Sequence, residues 1–180
     1  MPSQPAGLTT LLVELAASGV DFVLVGGLAA VAQGAPVTTF DVDIVHSRAP
    51  ENIERIVAFL TRVNARYRGR TGGSSRPPSR SALEELGHSL FMTDLGPLDV
   101  LGAIEGERSF EDLLPDSIIL DLEGHRVRVL GLAAIVRIKR SSTHPRDQQV
   151  PPFSKRHFAS STNPRTESRP TIGLLHRSPS

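Results

Sequence analysis

The sequence predicts an α/β or α+β fold, built from short strands and helices. Two patterns predict it: short apolar or alternating runs that are typical of strands, and longer stretches whose apolar residues recur at helical spacing. Both patterns continue along residues 1–147, which we interpret as one domain. The length agrees, because 180 residues of which 39% are hydrophobic suffice for one domain and a tail.

Four helices are expected from apolar residues that recur every three or four positions. The third carries the clearest apolar stripe, formed by Ile53, Ile56, Val57, Leu60 and Val63. Glycines that follow the first two stretches are typical helix ends. The four helices are predicted over residues 8–18, 28–34, 51–65 and 132–140.

Six strands are expected between and after these helices. The first is a continuous apolar run, typical of a buried strand, and the second alternates polar and apolar residues. Leu95-Gly96-Pro97 is the predicted turn between the third and fourth strands, and Glu123-Gly124 is the turn of a hairpin formed by the last two. The strands are predicted over residues 21–25, 41–46, 88–94, 98–104, 117–122 and 125–130.

Two stretches have a composition that does not favour regular structure. Residues 68–80 are rich in Gly, Ser, Pro and Arg, and we expect a flexible loop within the domain. Residues 148–180 are predicted to form a disordered, basic tail, because they hold too few apolar residues to offset the entropy of ordering. Net charge is −3 over residues 1–140 and +4 over residues 141–180. Such a tail either contacts nucleic acid or does nothing specific.

Composition and motifs exclude several classes of site. The chain has no cysteine, which excludes disulfides, Cys-ligated zinc, iron–sulfur clusters and thiol nucleophiles. Walker A, dinucleotide and nucleophile-elbow motifs are missing from the sequence. The first ten residues do not resemble a signal peptide, and the longest strongly apolar run, residues 22–32, is too short to span a bilayer. We therefore expect a cytoplasmic protein with no membrane partner.

Two carboxylates stand two positions apart in the predicted strand 41–46. Asp41 and Asp43 would project from one strand face, with Cα atoms about 6.5–7 Å apart. Such anions repel each other, and a divalent cation, Mg²⁺ or Mn²⁺, would relieve the repulsion. Asp99 is the lone acid in an apolar strand and would complete a two-metal arrangement. These three residues are the candidate catalytic and metal-binding residues.

Gly26 and Gly27 lie between a predicted strand and a predicted short helix. Without side chains, they would let the backbone approach a phosphate group closely, and the following helix would offer free N–H groups to it. They are therefore candidate nucleotide-binding residues.

Each feature also has a simpler interpretation. Asp41 and Asp43 could be solvent-facing acids on an edge strand, the glycine pair could be an ordinary turn, and Asp99 could cap a helix or pair with an arginine. His46 could cap its strand or take part in catalysis. The occurrence of all of these features in this order favours a metal and phosphate site.

The stretch FVLVGGLAAVAQGAPVTTFDVDIV, residues 22–45, resembles the nucleotidyltransferase superfamily with the polymerase-beta-like fold. The family signature is an apolar strand, Gly-Gly or Gly-Ser, a spacer, and then two acids separated by one residue. The resemblance implies a mixed sheet flanked by helices. It also implies that Asp41 and Asp43 are the paired metal ligands, that Asp99 is the third, and that Gly26 and Gly27 bind phosphate.

Residues 133–147, AAIVRIKRSSTHPRD, resemble a segment of small stand-alone members related to AbiEii toxins. Lys139 and Asp147 take the positions of that segment's Lys and Asp. The resemblance therefore implies that Lys139 is catalytic and that Lys139, Asp147, Thr38 and Thr39 bind nucleotide. Lys139 is the sole lysine among the first 140 residues, and its side chain either reaches solvent or points into a cleft.

The resemblance implies a metal-dependent enzyme that transfers a nucleoside monophosphate from a nucleoside triphosphate to a hydroxyl group. The acceptor could be RNA, protein or a small molecule, and the protein could be a toxin–antitoxin component with an antitoxin partner. The alternative is an inactive or truncated remnant that serves as a nucleotide- or RNA-binding module. The sequence leaves open whether the tail is natural disorder or the product of a reading-frame change.

Overall fold

The computed structural model describes residues 6–68 and 76–141. They belong to one compact unit. The predicted tail over residues 148–180, the domain boundary at Asp147 and residues 69–75 of the predicted loop lie outside the described residues. These expectations stay predictions.

One mixed sheet contains all the strands of the described residues, and it confirms the α+β class. Its strands are β1 (Phe22–Val25), β2 (Val42–His46), β3 (Arg66–Tyr67), β4 (His88–Thr93), β5 (Gly96–Leu101), β6 (Ser117–Leu122) and β7 (His125–Leu130). They lie side by side in the order β3-β4-β5-β2-β1-β7-β6. Two neighbouring pairs, β2 with β5 and β1 with β7, are parallel, and the other four are antiparallel.

The described helices include the four expected from periodicity and two short ones that were not expected. They are α1 (Ala6–Ala17), α2 (Gly26–Ala32), α3 (Pro50–Arg62), α4 (Arg80–Glu84), α5 (Phe110–Leu113) and α6 (Leu132–Ser141). Short 3₁₀ turns cover Glu105–Glu107 and Leu114–Asp116. The elements α4, α5 and β3 are too short for an apolar period to show in the sequence.

Several sequence expectations need correction. Gly26 and Gly27 were predicted to precede the second helix, but both belong to α2. The strand predicted over residues 98–104 ends at Leu101. Arg80 begins α4, although it was placed in the loop over residues 68–80. Gly96 and Pro97 were assigned to a turn, but both belong to β5, and the turn consists of Asp94 and Leu95. The side chain of Thr93 stabilises this tighter turn, because its hydroxyl donates to the Gly96 carbonyl at 2.7 Å and accepts from the Leu95 N–H at 3.1 Å.

The core explains the sequence patterns. All four residues of β1 are buried, as expected for a continuous apolar strand in the interior of a sheet. In β4, buried Ser89, Phe91 and Thr93 alternate with exposed residues. The apolar stripe of α3 buries Ile53, Ile56 and Leu60 completely or nearly so. Because α2 begins directly after β1, this buried strand places the start of α2 at the middle of the sheet.

Gln33 links α2 to α6. Its amide nitrogen donates to the carbonyls of Ala29, at 2.8 Å, and Leu130, at 2.9 Å. Its amide oxygen accepts the N–H of Leu132 at 2.9 Å. The start of α6 is therefore held beside the end of α2. In the described part of the chain, none of the helices has the length and apolar character needed to cross a membrane.

Candidate functional site

Three carboxylates converge on one face of the sheet, where β1 ends and β2 begins. Asp43 in β2 is paired in register with Asp99 in the parallel strand β5, so both side chains project to the same face. Asp41 lies just before β2, two positions ahead of Asp43, and its carboxylate reaches the same cluster. One oxygen atom from each carboxylate lies within 4.8 Å of the other two. The structure thus brings together the three acids that the sequence predicted as metal ligands.

The sheet makes the negative charge of these groups costly. Burial, followed by the charges of Asp41 and Asp99, raises the pKa of Asp43 to about 7. Burial also raises the pKa of Asp99, against the opposing charge of Arg68. The ionised form of these carboxylates is therefore disfavoured, and a bound cation would stabilise it.

The donor set fits a divalent metal ion. Carboxylate oxygens are the protein ligands that Mg²⁺ and Mn²⁺ prefer, and they are close enough here for one or two ions to be shared. Lone acids on an exposed edge, the simpler interpretation, do not match the structure, because β2 lies between β1 and β5 in the sheet interior. Asp41, Asp43 and Asp99 are the residues that could hold the metal.

Arg68 is a site residue that sequence reasoning missed. It directly follows β3, and its guanidinium forms an ion pair with the Asp99 carboxylate. Its backbone N–H donates to the Leu90 carbonyl at 2.8 Å, which places it across β4 from β5. The sequence analysis indicated only that Asp99 could pair with some arginine, as one of the simpler interpretations. Strand pairing, which brings together residues 31 positions apart, was needed to choose which one.

The two glycines pack against side chains of the site. Gly26 has a φ of +68°, and a Cβ placed there would lie 2.2 Å from Oδ2 of Asp43. A Cβ on Gly27 would lie 2.8 Å from Cβ of Thr39. Only glycine fits at Gly26, because other residues would be strained there and would displace the carboxylate. A role for this pair in binding phosphate stays a prediction.

Thr39, in the segment between α2 and β2, supports Asp41. Its hydroxyl lies 3.2 Å from Oδ1 of Asp41, to which it donates, and the side chain is buried. Thr38, by contrast, is exposed to solvent. Of the two threonines predicted to bind nucleotide, the structure brings Thr39 to the carboxylates.

Lys139 lies on α6 with an exposed side chain. Its positive charge nevertheless acts on Asp43 and lowers the pKa of that carboxyl, although less than Arg68 does. The ammonium group is therefore close enough to influence the cluster while remaining accessible to a ligand. Asp147, the other residue of the second motif, lies outside the described residues.

His46 has a structural role. Its side chain is buried, and its two ring nitrogens lie 2.8 Å from the carbonyl oxygens of Leu101 and Leu83. Burial lowers the pKa of His46, and the two carbonyls oppose this effect by favouring the protonated ring. These contacts tie β2 to the end of β5 and to α4. They account for His46 without a catalytic role.

A protein of known structure has a similar fold. A crystal structure from Thermotoga maritima, of a protein assigned provisionally as a nucleotidyltransferase, superposes on this chain with a TM-score of 0.52. The match covers 75% of this chain and 84% of the other. The chain folds like that protein. At 16% sequence identity, the likeness shows the fold alone. No family model and no curated protein matches the sequence.

Proposed function

We propose that this protein is a metal-dependent nucleotidyltransferase. One observation carries the proposal: the oxygens of three carboxylates lie within 4.8 Å of one another beside a glycine pair, in a chain that folds like a protein assigned to this activity. The reaction would transfer a nucleoside monophosphate from a nucleoside triphosphate to an acceptor hydroxyl.

The acceptor oxygen would attack the α-phosphorus in line with the leaving group. A new bond forms between these atoms, the bond from the α-phosphorus to the bridging oxygen of pyrophosphate breaks, and the hydroxyl proton leaves to solvent. Asp41, Asp43 and Asp99 would hold Mg²⁺ or Mn²⁺, which when bound neutralises phosphate charge and lowers the pKa of the acceptor hydroxyl. Catalysis would then come mainly from positioning and electrostatics.

The remaining residues would hold the triphosphate. Gly26 and Gly27 are the first residues of α2, whose first N–H groups have no partner within the helix and would bind a phosphate. Lys139 carries an accessible positive charge that acts on the same cluster. Thr39 keeps Asp41 in place through its hydroxyl. We also assign Thr38 and Asp147 to nucleotide binding, on the resemblance to the family.

The acceptor is RNA, protein or a small molecule, and the resemblance to AbiEii-type members makes a toxin role with an antitoxin partner part of the proposal. The test is incubation of the protein with each labelled nucleoside triphosphate, Mg²⁺ or Mn²⁺, and total RNA or cell protein. We expect one labelled class of acceptor and no label with Asp43→Asn.

Calorimetry separates the metal site from the chemistry. Metal-dependent nucleotide binding should be lost in the Asp41→Asn/Asp43→Asn double variant, because two of three charged ligands are removed. Unchanged binding in that variant would disprove the metal assignment. Metal and nucleotide binding without transfer to any acceptor would instead identify a binding module.

A further inference from the structure

One face of β4 is open to solvent beside the three carboxylates. Leu90 is paired in register with Asp99, so both side chains project to the same face of the sheet. Met92, two positions later, shares that face. Leu90 and Met92 are 38% and 48% exposed, whereas Phe91 between them is buried on the other face. The candidate site therefore continues into an exposed apolar surface.

On the other side of the carboxylates, the same sheet face is covered. Val25 pairs with Asp43, and Val23 lies two positions earlier on the same face. These two valines are 3% and 0% exposed. Within the part of the chain that the structure describes, a molecule held at the carboxylates finds free surface towards β4 and β3, and none towards β1.

Two arginines border the open surface at β3. Arg68 forms the ion pair with Asp99, and Arg66 is exposed and paired in register with Met92. At ordinary strand spacing and rise, the Cα atoms of Arg66 and Asp99 are about 12 Å apart. The Arg66 guanidinium donates to the Ala65 carbonyl at 3.0 Å, and it forms no ion pair within residues 6–68 and 76–141. Its charge is therefore available to an anion.

The sequence around this arginine pair is strongly basic. Residues 55–83 contain seven arginines and neither aspartate nor glutamate. Positive charge concentrated in this way attracts a polyanion. The three carboxylates would repel such a molecule, so its charged groups would extend away from them, across β4 and towards Arg66.

We propose that β4 and Arg66 bind the 3′ end of single-stranded RNA, which would make RNA the acceptor. The terminal base would cover Leu90 and Met92, the 3′ hydroxyl would lie at the carboxylates, and an upstream phosphate would contact Arg66. The inference rests on the proposed function for the fate of the 3′ hydroxyl, but binding of the strand does not require catalysis.

The surface fits RNA better than the other two classes of acceptor. RNA combines apolar base faces with an anion at every nucleotide, and it is recognised mainly through unpaired bases and the backbone. A small molecule would not extend from the carboxylates to Arg66. A protein acceptor offers no regular series of anions to match the acid-free, arginine-rich segment.

Fluorescence anisotropy with a short, unstructured RNA labelled at its 5′ end tests the charge contact. Arg66→Ala should weaken binding by about tenfold and make the dependence of log Kd on log salt shallower by about one. Arg48→Ala is the matched control, because Arg48 is exposed and lies beyond the other end of β2. Equal losses in both variants, or no loss in Arg66→Ala, would overturn the proposal.

The same assay tests the apolar surface. Met92→Ser should weaken RNA binding by about fivefold or more, because the terminal base loses its apolar contact. Ile118→Ser is the control: Ile118 is 42% exposed, similar to Met92, but lies in β6 at the far edge of the sheet. Circular dichroism would verify that both variants are folded. Wild-type affinity in a folded Met92→Ser variant would overturn the proposal.

Photo-cross-linking tests which end of the strand lies on β4. RNA with 4-thiouridine as its 3′-terminal nucleotide should cross-link to residues 88–93 in the full chain, as mapped by mass spectrometry, and the same RNA with 4-thiouridine at its 5′ end should not. Cross-linking to residues 88–93 from the 5′ end alone would overturn the proposed direction.

Failure of this inference and failure of the proposed function give different results. RNA bound as described, with no nucleotide added to it from any nucleoside triphosphate and Mg²⁺ or Mn²⁺, would support the RNA surface and contradict the transferase. Transfer to protein by a chain that does not bind the RNA probe would support the transferase and overturn this inference.

Discussion

At the residue scale, Asp43 is a carboxyl group that the fold makes hard to ionise. Burial and two neighbouring carboxylates raise its pKa to about 7 from an ordinary value of 3.8. Between these pH values the folded state binds more protons than the unfolded state, so the free energy of unfolding falls as the pH rises. The metal-free protein should therefore be more stable near pH 5 than near pH 8.

Asp43→Asn removes this ionisation. In the presence of a chelator, we expect a higher Tm than wild type near pH 8, by several degrees, and a difference that shrinks towards pH 4. Thermal melts followed by circular dichroism over this pH range measure the effect. Glu123→Gln, an exposed acid in the β6–β7 turn, is the control and should follow wild type. A lower Tm for Asp43→Asn at pH 8 would contradict the electrostatic argument.

Arg68 neutralises Asp99 in the structure and would compete with a metal ion for the same oxygen. Removing the guanidinium in Arg68→Ala frees the carboxylate and takes away a repelling positive charge. We therefore expect Mn²⁺ to bind more tightly, by a factor on the order of 3–10, as measured by calorimetry. Arg66→Ala, two positions earlier, is the matched control. Weaker Mn²⁺ binding in Arg68→Ala would instead mean that Arg68 orients Asp99 for the metal.

At the scale of the elements, the placement of α6 decides whether Lys139 contributes to the site. Gln33 holds the start of α6 beside α2, and the charge of Lys139 acts on Asp43. Lys139→Ala should reduce transfer by on the order of 10²-fold without unfolding the protein, a loss typical of one electrostatic contact in the transition state. Lys139→Arg should restore part of it, because a planar guanidinium cannot occupy the same position.

Single-turnover kinetics with saturating nucleotide would measure this effect. Arg140→Ala, at the adjacent exposed position, is the control and should keep nearly the full rate. A wild-type rate in Lys139→Ala, in an assay where Asp43→Asn is inactive, would place Lys139 on the surface and outside the site.

At the scale of the whole molecule, the basic C-terminal residues are predicted to add little to stability. Their composition provides few apolar side chains for packing. Deletion of residues 151–180 should leave the Tm within about 2 °C of the full chain, measured by differential scanning calorimetry. A drop of several degrees would show that these residues pack on the domain.

The sequence by itself predicted the fold class, the four longer helices and the hairpin of β6 and β7. It also singled out the three acids as candidate metal ligands, a role that stays a prediction. Apolar periodicity marks long elements because each of them must bury one side. The Asp-x-Asp spacing predicts Asp41 and Asp43 on one strand face, although β2 itself begins at Val42. The short elements β3, α4 and α5 carry too few residues for such a signal, so the sequence did not predict them.

Tertiary structure alone decided which residues meet. Asp43 and Asp99 face each other because β2 and β5 are parallel neighbours, and Arg68 reaches Asp99 through two further strand pairings. Gly26 meets the Asp43 carboxylate because β1 and β2 are paired, with Val25 opposite Asp43. Contacts between distant segments depend on the order and register of the strands. The local sequence pattern does not encode that order, because a strand with a given alternation of polar and apolar residues can pair with several different strands.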